Sequence, residues 1–258
     1  GLSPFFRYKI RSEKISGYYI ALQNREDNNY CHFLFQLAPS ILRSFEFAKK
    51  HKLHLRILVP EKTPRFANEF LSLGDFSTVK LEKKYVNCEN ILLSTLYSAD
   101  NPHPLDIKKL HFWSKNILMS NQTKGIQNIK FKNSRRGGIF YISRANASRY
   151  SERTQKLEQI MEVSNIKVLM LEKLSLIEQM QIFANAKIIF GNHGAGLANI
   201  VFSPKGTKVY EIIDSNDVYN DYFQNISSIL KLNYSLLDIS KSEMDSVRNL
   251  ILKIIAES

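Results

Sequence analysis

The chain is poor in cysteine, with only Cys31 and Cys88 in 258 residues. Two thiols cannot build a disulfide framework, and their spacing is not that of metal ligands. They fit a reducing compartment, so a cytoplasmic location is expected. No uninterrupted apolar run reaches the roughly 18 residues that suggest a membrane-spanning helix. The N-terminus also lacks the charged, apolar and small-residue succession of a signal peptide; because the chain opens on Gly1, a trimmed N-terminus is expected. Lys and Arg outnumber acids 36 to 24, a net charge of +12, yet no block of five like charges occurs. That excess favours anionic partners and would suit peripheral contact with the anionic inner face of a membrane. An RNA-recognition, zinc-finger or helix-turn-helix signature is missing, which argues against nucleic acid.

What is present belongs to an ordinary globular chain, with 44% hydrophobic and 23% charged residues. Four N-x-S/T sequons, at Asn121, Asn146, Asn225 and Asn233, are expected by chance in a sequence this rich in Asn and Ser. The second half alternates strand and helix. "GGIFYISR", "IKVLML", "KIIFG", "TKVYEII" and "YSLLDI" read as strands. Between and after them lie helical segments, one opened by Ser175 with Glu178 three residues on, the spacing of a capping box. Such alternation predicts a parallel sheet wrapped by helices.

The first half is less regular. "NYCHFLFQLAPSILRSFEFAKKH" has helical apolar spacing that Pro39 should kink. "LHLRILVP", "TVKLE" and "NILLST" read as strands, and "PRFANEFLSLG" as a helix closed by Gly74. The Pro- and Lys-containing stretch from about Asp100 to Arg136 reads as a junction. The expected architecture is α/β: two domains facing a cleft, 1–125 and 126–258, with a last helix free to pack back on the first.

The stretch "KIIFGNHGAGLANIVFSP" carries the most chemistry. An apolar strand ends at Gly191, and "LANIVF" reads as the start of a helix. The intervening turn then faces the ligand crevice at the carboxyl end of a parallel strand. Gly194 and Gly196 would allow positive φ and close approach of a ligand, and the free N–H groups of the helix would attract a phosphate. A dinucleotide fingerprint would want a third glycine where Asn199 stands, and a nucleoside-triphosphate loop would want G-K-S/T. A lipase-like oxyanion loop would need a G-x-S-x-G elbow, which the chain lacks. A tight turn around a satisfied histidine explains the same residues. Downstream, Glu211 ends a strand where a carboxylate could accept both hydrogen bonds of a ribose diol; an exposed edge charge is the other reading. Upstream, Arg144 and Arg149 follow the strand "YISR" and could clamp a diphosphate bidentately. "DSND", residues 214 to 217, reads as a solvated turn.

These residues resemble family 61 glycosyltransferases. The match runs through "YISR" and "LEKLSLIEQMQIFANAKIIFGNHGAGLANIVFSPKGTKVYEII", with the His-Gly-Ala-Gly-Leu, Asn and Val-x-Glu positions of that family. "NYCHFLFQLAPSIL" resembles its N-Y-x-H-W-L-x-D/E-x-L-P segment. The resemblance implies a fold of the GT-B type, two Rossmann-like domains with a nucleotide-sugar donor, a UDP-sugar by expectation, bound mainly by the second. It also implies an inverting reaction without a bound metal or other cofactor. The implied donor site comprises Arg144, Arg149, His193, Gly194, Ala195, Gly196, Leu197, Asn199 and Glu211, with Asn29 and Gln36 from the first motif. The acceptor would be a glycan or lipid-linked glycan of bacterial surface polysaccharide, capsule or lipopolysaccharide, in line with the Lys-, Asn- and Ile-rich composition.

One departure stands out. Where family members commonly carry an acid, this chain has Gln36, which cannot act as a general base. His32 is the nearest titratable candidate for that role; a core histidine is the alternative. Gln36 also motivates a reading as a non-catalytic nucleotide-sugar or glycan-binding subunit.

Overall fold

The computed structural model describes residues 13–22, 29–82, 86–95, 97, 101–123, 138–145, 150–214 and 220–257. The first half forms a parallel sheet from β1 (Glu13–Ala21), β2 (Leu55–Val59), β3 (Thr78–Lys80) and β4 (Val86–Ile91), in the order β3-β2-β1-β4. Its central strand, β1, is absent from the sequence-based expectation. Gly17 explains why: it breaks the apolar run of "EKISGYYIA", takes φ +111°, and sits where the pairing with β4 slips between Ile15 and Tyr18. A bulge of this kind hides a strand from periodicity. β4 also lies upstream of "NILLST", on "VNCENI", whose burial alternates residue by residue.

Between β1 and β2 runs one helical path, α1 (Tyr30–His32), a π turn (Phe33–Leu37) and α2 (Ala38–Lys50). Pro39 was expected to kink it. Instead the backbone widens one turn ahead of the proline, with the Ala38 N–H reaching the carbonyl of Phe33. The wider turn accommodates a ring that would otherwise strike the preceding turn, and it buries Phe33, Leu34, Phe35 and Leu37 while leaving Gln36 at the rim. Helix α3 (Arg65–Leu73) follows β2. The expected junction contains α4 (Pro104–Thr123).

The second half follows the expected alternation: β5 (Gly138–Ile142), α5 (Glu152–Val163), β6 (Lys167–Leu169), α6 (Leu176–Ala184), β7 (Ala186–Asn192), β8 (Lys208–Ile213), α7 (Tyr222–Leu230), β9 (Asn233–Asp238) and α8 (Met244–Ala256). All pairings in this sheet are parallel, in the order β6-β5-β7-β8-β9. Order reverses between β5 and β7, and the carboxyl ends of those strands open the crevice of a doubly wound sheet. Both bonds of the Ser175–Glu178 capping box form at the start of α6. β7 is buried along almost its whole length because both faces of a parallel strand are covered.

Two expectations change here. "LANIVF" belongs to a 3-10 helix, Ala195–Phe202, rather than to an α-helix. The last helix stays with the second sheet: Val247, Ile251 and Ile254 of α8 pack in one buried cluster with Tyr141, Ile188 and Phe190.

The larger cluster runs through both halves, from Phe33 and Phe70 to Met180, Ile200 and Phe223. α4 joins them. Its Trp113 packs on Phe70, with ring centroids 4.4 Å apart. The Nδ1 of His111, on the same helix, lies 2.8 Å from the carbonyl of Val201.

Candidate functional site

A cavity of about 520 Å3 opens where the carboxyl ends of β5 and β7 meet α1 and α3. Its floor is made by Asn192, Gly194, Ala195 and Gly196, its rim carries Arg144, and Tyr30, Arg65 and Phe66 close the opposite side.

The turn is built by sterics more than by unusual dihedrals. Gly194 has φ 161°, ordinary extended backbone, and Gly196 lies inside the 3-10 helix; neither uses the left-handed φ that glycine would allow. What they supply is clearance. A Cβ on Gly194 would lie 3.2 Å from Nη2 of Arg144, and one on Gly196 only 2.8 Å from Cγ2 of Ile142. Arg144 can therefore lie across the turn, where its Nη2 donates to the carbonyl of His193. The N–H groups of Ala195 and Gly196 open the 3-10 helix, where no carbonyl of the helix itself can reach them. Arg144 and the residues that open the 3-10 helix thus share one wall of the cavity, an arrangement suited to an anion.

Asn199 is fully buried and ties this wall to the other half. Its Oδ1 accepts from the Tyr30 hydroxyl at 2.6 Å, while its Nδ2 donates to the carbonyl of Gly196 at 3.1 Å. Burial holds the Tyr30 phenol well above its ordinary range, so it serves as a hydrogen-bond donor. Leu197 is wholly in the core and works by packing.

His193 and Glu211 come together away from the cavity wall. Glu211 is fully buried; its Oε1 lies 2.5 Å from Nδ1 of His193, and its Oε2 accepts from the Tyr234 hydroxyl at 2.6 Å. Both oxygens are engaged, so this geometry makes Glu211 the holder of the His193 ring instead of the ribose acceptor expected from the sequence. With Nδ1 directed at the carboxylate, Nε2 is the ring's other nitrogen. The ring packs edge-on against Phe223, with centroids 5.3 Å apart.

Asn29, His32 and Gln36 also cluster with one another. Asn29 caps α1, its Oδ1 accepting from the N–H groups of Cys31 and His32 at 3.0 and 3.3 Å. Nδ1 of His32 lies 3.3 Å from Oε1 of Gln36, whose Nε2 donates to the carbonyl of Tyr97 at 2.9 Å. Arg149 and residues 215–217 of "DSND" lie outside the described residues. Asp214 itself pairs with Nε of Arg153 at 3.1 Å with its side chain only 15% exposed, so it departs from the solvated reading.

Sequence reasoning missed several groups around the cavity. Glu158 on α5 shapes the loop after β5: its Oε1 accepts from Ser143 Oγ at 2.6 Å and the Arg144 N–H at 3.3 Å. Glu69 on α3 accepts at Oε2 from the N–H of Leu176, 2.6 Å away, and at Oε1 from Arg65 at 2.8 Å. Glu172, in the short 3-10 turn Leu171–Lys173 after β6, also lines the cavity. Only the position of Glu172, just past a strand, was a signal a sequence could offer; the partners of Glu69 and Glu158 are set by folding.

A parallel α/β architecture with an anion-suited turn at the carboxyl ends of its strands defines the class of protein. The model of the family Glycosyltransferase 61 matches residues 30–210, and the chain belongs to that family. No curated protein matches. Among solved structures the chain is similar to the iron-containing dodecameric glycosyltransferase TibC from enterotoxigenic E. coli H10407, with a TM-score of 0.39 and 9% identity. That likeness covers 82% of this chain and 62% of TibC, so the chain spans under two thirds of that protein's length. A structure of the heptosyltransferase TibC in complex with ADP-D-beta-D-heptose gives a TM-score of 0.41 and 10% identity, covering 95% of this chain and 78% of that one.

Proposed function

We propose that the protein transfers a sugar, with inversion, from a nucleoside-diphosphate sugar to a hydroxyl of a glycan acceptor. The observation that carries this reading is that Arg144 and the opening residues of the 3-10 helix, Ala195 and Gly196, line one cavity in a chain of family 61. Transfer breaks the bond from the anomeric carbon to the diphosphate oxygen while the acceptor oxygen bonds the opposite face. The acceptor proton passes to a base and the diphosphate leaves with its charge. Preorganised donors facing that charge stabilise the transition state in the manner of an oxyanion hole.

In this reading Arg144 and the turn hold the diphosphate, while Glu211 and Tyr234 fix the His193 ring behind that turn. His32 takes the acceptor proton. Gln36 supports that assignment by facing Nδ1 of His32, which leaves Nε2 to carry the lone pair in the neutral ring. The chain divides near residue 125 into an acceptor-side and a donor-side unit facing the cavity. A UDP-sugar as donor and a capsular or lipopolysaccharide acceptor complete the proposal.

Gln36 also favours a second reading, a nucleotide-sugar-binding subunit without turnover, since its amide is spent on His32 and Tyr97. Calorimetry with UDP and UDP-sugars, beside a mass-spectrometric donor screen, decides between them. Under the transferase reading, Arg144→Ala weakens UDP binding by roughly tenfold or more, the loss of a charge-assisted bond, whereas His32→Ala keeps UDP affinity and abolishes transfer. UDP affinity unchanged in Arg144→Ala removes the diphosphate site, and turnover retained in His32→Ala removes the base.

A further inference from the structure

One side of α4 is buried, carrying Asp106, Ile107, Leu110 and Ser114. Ile107 and Leu110 lie in the core, with Trp113, Ile117 and Leu118 packed against it. Its only acid, Asp106, is buried and paired with Arg43. The opposite side is unusual for a solvent face. Leu105, Phe112 and Met119 recur at intervals of seven and are 64%, 64% and 58% exposed. At 3.6 residues per turn they form one line about 21 Å long. Lys108 and Lys115 lie along one edge of this line, and Lys109 on the other edge pairs with Glu46. Arg43 also reaches Ser94 Oγ at 3.2 Å, drawing the end of the β4 segment to the first turn of α4, and the neighbouring Leu93 is 88% exposed.

We propose that this face of α4 docks the protein on an anionic lipid bilayer. An apolar line that enters the headgroup boundary, edged by lysines that meet lipid phosphates, is the pattern of an interfacial helix. Charge selects the occupant. A second copy stacked antiparallel on this face by a two-fold axis would set the Lys108 and Lys115 edge against the same edge of its partner. A line one side chain wide also falls short of the about 800 Å2 per partner of a standard interface. A bilayer needs neither a complementary acid nor a large flat patch, and the net charge of +12 draws the whole chain toward it. No helix among the described residues is long and apolar enough to cross a membrane, so contact through this face would be lateral. The proposal does not depend on the transfer reaction, and its test uses no sugar.

Co-sedimentation with vesicles of phosphatidylcholine alone, or of equal parts phosphatidylcholine and phosphatidylglycerol, tests it. The expected result is binding to the mixed vesicles only, weakened by added salt. Phe112→Ser with Met119→Ser, and separately Lys108→Gln with Lys115→Gln, should each lower binding by roughly tenfold. The far-ultraviolet circular dichroism spectrum and the unfolding midpoint should stay unchanged, showing that the variants fold. Absence of binding to the mixed vesicles, or equal binding by the parent and both variants, overturns the proposal. So does sedimentation of the parent chain as a dimer that Phe112→Ser with Met119→Ser converts to monomer, because the face would then belong to a second copy.

Discussion

Gly194 and Gly196 stand two residues apart in one turn, yet a methyl group on each would do different damage. On Gly196 it meets the Ile142 side chain at 2.8 Å inside a packed strand end. Gly196→Ala should therefore cost about 1–3 kcal/mol of stability by overpacking, read from urea unfolding. On Gly194 it meets the outer nitrogen of Arg144 at 3.2 Å. A guanidinium can swing aside, so Gly194→Ala should leave the unfolding midpoint nearly fixed while weakening UDP binding in calorimetry. Tyr234→Phe is a third case at this scale. It strips the donor from Oε2 of the fully buried Glu211, and an unsatisfied buried acceptor should cost about 1–3 kcal/mol in the same unfolding experiment.

Helix α4 and the 3-10 helix meet through His111, whose Nδ1 faces the Val201 carbonyl. Burial holds the proton affinity of this ring below its ordinary value. Below the usual histidine range, about pH 6.5, the unfolded chain then binds a proton that the folded chain takes up less readily. The contribution of this site to stability is present above that range and is lost as pH falls through it. Unfolding midpoints measured between about pH 7.5 and 5.5 should therefore fall with pH, and His111→Asn should flatten that part of the curve. At the start of α6, Ser175 accepts from the Glu178 N–H and Glu178 accepts back from Ser175. Ser175→Ala should cost about 1 kcal/mol, the ordinary value of an N-cap.

Across the whole molecule, one buried cluster runs from the first sheet into the second, and the sole tryptophan, Trp113, sits on α4 against Phe70. A shared core ties the stability of each half to the other. Urea unfolding followed by tryptophan fluorescence and by far-ultraviolet circular dichroism should give coincident transitions. A fluorescence transition that precedes the loss of helix would mean that the two halves unfold separately.

The amino-acid sequence by itself determined the alternating second half and its parallel sheet, the capping box of α6 and the family. Each rests on local signals: apolar runs bounded by polar turns, a Ser/Glu spacing, and the block from His193 to Glu211. It also brought Arg144, Gly194, Ala195, Gly196 and Asn199 forward as site residues, and folding places all five on one cavity. Tertiary structure decided the rest. β1 was concealed by the bulge at Gly17, and the path through Pro39 depended on whether a wider turn could be packed there. The pairing of Glu211 with His193 and Tyr234 joins residues 18 and 23 positions apart. The Tyr30–Asn199 bond spans 169 positions. Local propensity reaches only a few residues along the chain, whereas the partner of a buried polar group is chosen by which distant element the core brings beside it.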